Sequence, residues 1–88
     1  MADSPELQVS VRFFAAARAA AGVDESAVTL QPEATMACVV SELSCRSDEL
    51  ARVLPRCSYL CDGVAVRDLG MKLHSGQIVD VLPPFAGG

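Results

Sequence analysis

Hydrophobic and polar side chains alternate from residue 7 onward, with Leu7, Val9, Val11 and Phe13 interleaved by Gln8, Ser10 and Arg12. A period of two is the mark of a strand with one buried and one open face. The apolar set is assigned to the core. Phe14 then falls on the outward face with the polar set. The alanine-rich run from Ala15 to Ala21, carrying Arg18 and followed by Gly22, reads as a short helix closed by a glycine. Ser26 to Leu30 supplies a second strand, and Gln31 to Ala34 a loop.

The period then changes. Met36, Val39, Val40 and Leu43 recur at i, i+3, i+4 and i+7, the apolar stripe of a helix for which Thr35 is the predicted N-cap. Leu50, Val53 and Leu54 repeat that stripe until Pro55 ends it. Ser58 to Cys61 reads as a strand that Asp62-Gly63 turns into Val64–Val66. Ser75-Gly76 marks another turn, and Ile78 to Leu82 is the final strand, stopped by Pro83-Pro84. In that strand Leu82 shares a face with Asp80.

One helical stripe and one sheet face bury each other most simply if the helix crosses the sheet. The first two strands lie too close in sequence for a crossover and should pair antiparallel. The last strand returns beside the first as its parallel neighbour. The expectation is an α+β fold of the β-grasp (ubiquitin-like) kind, a mixed sheet of four to five strands crossed by one main helix. Residues 1–6 are assigned to a flexible leader, 7–82 to the domain and 83–88 to an extended tail.

Size limits what such a fold can do. A chain of 88 residues makes one domain and buries roughly 60–65% of the surface its unfolded state exposes. Its 51% hydrophobic content fills a thin core, chiefly with aliphatic side chains because only 5% is aromatic. Little room remains for a deep catalytic cleft, which favours a carrier or binding module over a self-sufficient enzyme. A net charge of −4 disfavours nucleic acid and anionic membrane surfaces and suits a basic partner protein. No apolar run approaches the ~20 residues that span a bilayer. The first six residues carry two acids and no base, unlike a secretory n-region, so a cytoplasmic location is expected.

Cys38, Cys45, Cys57 and Cys61 show no C-x-x-C spacing, and the single histidine, His74, is far from them in sequence. They are read as reduced thiols rather than disulfides or metal ligands, and His74 as a turn residue.

The tail, Pro83-Pro84-Phe85-Ala86-Gly87-Gly88, carries the candidate chemistry. Two prolines leave the ladder and hold an extended backbone, so the segment reaches roughly 20 Å past the last strand. Gly87 and Gly88 have no side chains and suit a narrow tunnel in a partner.

The chain resembles the small subunits of molybdopterin synthase, which are ubiquitin-like sulfur carriers. The resemblance runs from about Val9 to Gly88. It rests on Val11-Arg12-Phe13-Phe14-Ala15 with Arg18, the Thr35-capped helix, Leu60-Cys61-Asp62-Gly63, Leu73 to Gly76, and the stretch from Leu82 to Gly88. It departs where Asp62 replaces a common Asn, where His74-Ser75-Gly76-Gln77 replaces an acidic turn, and where Phe85 replaces a smaller apolar residue.

The resemblance implies a role in molybdenum cofactor biosynthesis. The Gly88 carboxylate would be adenylated, converted to a thiocarboxylate and used to donate sulfur to cyclic pyranopterin monophosphate, forming the dithiolene. It implies that Pro83, Pro84, Phe85, Ala86 and Gly87 insert in the large subunit of a heterotetramer of two small and two large subunits. The chain would be the sulfur-donating subunit of a sulfurtransferase, without a complete active site of its own. It would bind no cofactor or metal; ATP would be used by a ubiquitin-activating-type adenylyltransferase, and a separate sulfurtransferase would supply sulfur. Phe14 and Leu82, exposed near the root of the tail, are interface candidates. Arg18, matching the family's arginine, is a third. The competing readings are a sulfur carrier for thiamine or cysteine biosynthesis, a ubiquitin-like protein modifier, and an interaction module with an inert tail.

Overall fold

The computed structural model describes residues 6–84. Strand β1 (Leu7–Phe13) follows the alternating pattern, with Val9, Val11 and Phe13 buried and Leu7 half-buried. Helix α1 (Ala15–Ala21) ends at Gly22, whose φ of 79° is the left-handed cap that a glycine adopts without penalty. Strand β2 (Glu25–Leu30) returns antiparallel to β1, so that Leu7 faces Leu30 and Arg12 faces Glu25.

Helix α2 (Met36–Arg46) is entered through Thr35 and buries Met36, Val39 and Leu43. The stripe predicted to continue to Leu54 is broken at Ser47. Its backbone is extended, and its Oγ accepts hydrogen bonds from the N–H groups of Glu49 and Leu50, starting a separate helix α3 (Asp48–Val53). A serine that satisfies two free N–H groups at once makes a helix start out of a helix interior. Helix α3 does end before Pro55, which sits inside a 3₁₀ turn, Leu54–Arg56, where its missing N–H is tolerated.

Strand β3 (Ser58–Cys61) turns through Asp62-Gly63 into the short β4 (Val64–Ala65), and β5 (Ile78–Leu82) closes the sheet. Asp62 and Gly63 both have positive φ, 52° and 83°, the geometry a two-residue hairpin requires. The order is β2-β1-β5-β3-β4, with β1 and β5 parallel and the remaining pairs antiparallel. This is the β-grasp arrangement, with five strands.

The helices bury their apolar side chains against one face of the sheet. Val9, Val11, Phe13, Val28, Val79 and Val81 meet Met36, Val39, Leu43, Leu50 and Leu54 in a single core. Tyr59 joins it and donates its hydroxyl to the Leu54 carbonyl at 2.8 Å, so that its one polar atom is satisfied. Among the described residues, no helix is long and apolar enough to cross a membrane.

Candidate functional site at the root of the tail

Parallel pairing puts the ends of β1 and β5 side by side, Phe13 opposite Val81. Phe14 continues extended, at φ −126° and ψ 147°, and donates its N–H to the Val81 carbonyl at 3.3 Å. Its own carbonyl accepts from the N–H groups of Ala17 and Arg18, opening α1. Between them Ala15 has a φ of 51°, a left-handed conformation rare outside glycine and asparagine. The chain thus leaves β1 with Phe13 in the core and Phe14 outside it, 40% exposed.

Phe14, Ala16, Ser58, Leu82, Pro83 and Pro84 enclose an apolar groove of about 560 Å³ where the tail leaves the sheet. Leu82 and Pro83 are half-buried in its wall, and Pro84 is exposed. The structure therefore brings Phe14 together with Leu82, Pro83 and Pro84, although nearly the whole chain separates them in sequence. Phe85, Ala86, Gly87 and Gly88 lie outside the described residues.

Arg18 does not line this groove. Its Nε pairs with Asp24 Oδ1 at 2.6 Å, with both side chains largely in solvent. Such an exposed pair is weak and open to exchange with a partner's carboxylate.

The outer face of the sheet carries a polar feature that the pattern along single strands does not disclose. Arg12 Nε donates to Asp80 Oδ1 at 2.6 Å and Nη2 to Oδ2 at 3.0 Å, and Asp80 is only 7% exposed. The Asp80 carboxylate, first through these bonds and then through its charge, raises the Arg12 pKa further. The guanidinium carbon lies 6.0 Å from the centroid of the Phe14 ring. The signal was present: both residues occupy outward positions, and the parallel register sets them opposite each other. It becomes legible only once that register is known.

The four thiols are free. Burial raises the pKa of the Cys57 and Cys61 thiols. Cys38 is exposed, and its Sγ lies 3.5 Å from both the hydroxyl and the N–H of Thr35. Those contacts, the hydroxyl before the N–H, lower its pKa. Cys38 lines a separate, more polar groove of about 630 Å³ between α2 and the loop before it, remote in sequence from the tail. Among the described residues, no three His, Cys, Asp or Glu side chains gather as a metal site. His74 lies in an exposed turn.

Known proteins share this fold. The ThiS family matches residues 11–88. The fold is similar to that of the HVO 2177 protein of Haloferax volcanii, at 30% identity and a TM-score of 0.86, over 100% of this chain and 92% of that one. It is similar to a putative molybdopterin converting factor, subunit 1, from Pyrococcus furiosus, at 25% identity and a TM-score of 0.82, over 90% of this chain and 99% of that one. It also shares its fold with a chain of the complex of subunits 1 and 2 of molybdopterin-converting factor from Helicobacter pylori 26695, at 21% identity and a TM-score of 0.70, over 93% and 100% of the two chains. None of the curated proteins matches it in sequence.

Proposed function

We propose that this chain, which belongs to the ThiS family of ubiquitin-like sulfur carriers, serves as the small subunit of molybdopterin synthase, with Gly88 as the site that carries sulfur. The observation that supports this reading best is the apolar groove at the tail's root, where Phe14 and Leu82 flank Pro83 and Pro84. A partner that threads the tail must also grip the domain beside it, and this groove is where a grip would be continuous with the tail. The similarity to the Pyrococcus furiosus subunit and the family match extending to residue 88 support the same assignment. The Helicobacter pylori subunit, seen with subunit 2, has the fold in question and suggests a large subunit as the partner.

The chemistry explains why the fold needs partners. A C-terminal carboxylate ordinarily titrates at about 3.3–3.7, so near neutral pH it is an anion and a poor acyl electrophile. Adenylation by an activating enzyme, at the expense of ATP, installs a leaving group. A sulfur donor displaces AMP and leaves a thiocarboxylate on Gly88. The domain fixes where the tail starts; the large subunit supplies the pocket and the acid–base groups for transfer to the pterin precursor.

Charging the protein with sulfur and mixing it with a large subunit and cyclic pyranopterin monophosphate tests the reading. Dithiolene product is expected with the wild type and none when Gly88 is deleted. A Gly88-deleted chain that still forms product would overturn it. Intact mass distinguishes the rival uses of the same tail. An oxygen-to-sulfur exchange at the terminus marks a carrier, whereas isopeptide adducts on lysines alone mark a modifier.

A further inference from the structure

One contact on the outer face plays no part in the proposed sulfur chemistry. The register sets Glu25, Arg12, Asp80, Leu60 and Ala65 in one row across all five strands, and Asp80 takes both bonds from the Arg12 fork. Taking a carboxylate to 10% side-chain exposure is unfavourable, and a close ion pair often does no more than offset that penalty. Two apolar side chains at these positions would join β1 to β5 as well. What the pair adds is direction, because two parallel bonds fix the plane of a guanidinium.

The plane so fixed lies beside Phe14. That ring is 40% exposed, and its backbone is held by the bond to Val81 while its side chain stands at the groove. An exposed aromatic loses rotamer freedom when a partner docks on it, and that loss weakens binding. A cation held 6.0 Å from the ring centroid favours one ring orientation in advance.

We propose that Arg12, anchored by Asp80, is a positioning residue that holds the Phe14 ring at the lip of the tail-root groove in the orientation a partner subunit meets. The proposal rests on the reading above that Phe14 and this groove engage the large subunit. Arg12 acts through Phe14 and need not touch the partner.

The deciding variant is the exchange Arg12→Asp with Asp80→Arg. It keeps an ion pair between β1 and β5 but sets a carboxylate, which the negative ring face repels, where the cation was. The expected result is a melting temperature near wild type with affinity for the large subunit lowered about two- to fivefold, the range an exposed cation–ring contact allows. In a Phe14→Leu background the exchange should change affinity no further. Equal affinity for exchange and wild type, or an equal loss with and without Phe14, would overturn the proposal. The free protein offers a second test if the exchange variant fails to fold. The side-chain protons of Arg12 should show a ring-current shift that Phe14→Leu abolishes, and absence of that shift would also overturn it. Failure of the functional reading looks different: the wild type itself would not bind the large subunit, while the ring-current measurement would stand unaffected.

Discussion

Seen from the helices, the sheet presents Val9, Val11, Val28, Val79 and Val81, each at most 1% exposed, against Met36, Val39 and Leu43. Seen from the other side, the same strands present Arg12, Asp80, Leu60 and Leu82, and Phe14 stands just beyond the end of β1. The inner face is apolar and closed, chiefly aliphatic with Phe13 and Tyr59 among the valines. The outer face is mixed, with one ion pair set among apolar side chains that are half-buried or exposed. Folding free energy comes from burial and accounts for the first face. It does not account for the second, which leaves apolar surface open at the groove beside Pro83 and Pro84.

The sharpest way to break this contrast is to truncate one large side chain on each side. Leu43→Ala empties a fully buried position and should lower stability by about 2–5 kcal/mol in urea denaturation. Phe14→Ala removes a side chain that solvent already reaches, and should lower stability by about 1 kcal/mol or less. Its effect belongs in binding, where we expect affinity for the large subunit to fall by about tenfold or more in calorimetric titration. Equal losses of stability from the two truncations would make Phe14 part of the structural core and remove the distinction.

Tyr59 sharpens the comparison from the closed side. Burial first, then the charge of Cys57, pushes its pKa up to about 12 from the ordinary value near 10. A raised pKa means that the folded state holds the phenolic proton more tightly than the unfolded state. The stability linked to that proton is therefore fully present below pH 10 and is lost as pH rises toward 12. The protein has a single tyrosine, so phenolate absorbance reads this group alone. The expected result is a phenolate transition displaced well above pH 10 in the folded protein. Tyr59→Phe should flatten the corresponding decline in stability. An unshifted transition would mean that water reaches the hydroxyl and that the core is open at this strand.

The inner face was legible in the sequence because burial imposes a period. The alternation in β1 and the stripe from Met36 to Leu43 each name the residues that turn inward, and the structure buries all of them except Leu7 and Val40, which are half-buried. The helix break was not legible in the same way. Leu50, Val53 and Leu54 continue the stripe, and only the local competition of the Ser47 side chain for backbone N–H groups interrupts it. On the outer face, Phe14 and Leu82 stood out one at a time as apolar residues out of phase. The Arg12–Asp80 pair spans 68 positions, and no local rule joins residues so far apart without the parallel register.

Ala15 stands where the two faces meet, and it yields the smallest expected effect. Phe13 points into the core and Phe14 out of it, and the chain turns into α1 immediately afterwards through the left-handed backbone of Ala15. An L-residue in that conformation is disfavoured by roughly 1–2 kcal/mol, a strain that glycine would relieve. Glycine also has more conformational freedom to lose on folding, by roughly 0.5–1 kcal/mol relative to alanine. The two effects oppose each other, so Ala15→Gly should change stability by only about 0.5 kcal/mol, in the stabilising direction. Ala15→Val is the control: its branched Cβ fits left-handed backbone worst, and it should destabilise clearly. Thermal melts of the two variants side by side check the sign. If glycine destabilised the protein and valine were tolerated, the turn would carry no such backbone strain. The placement of Phe14 on the outer face would then need a cause other than this turn.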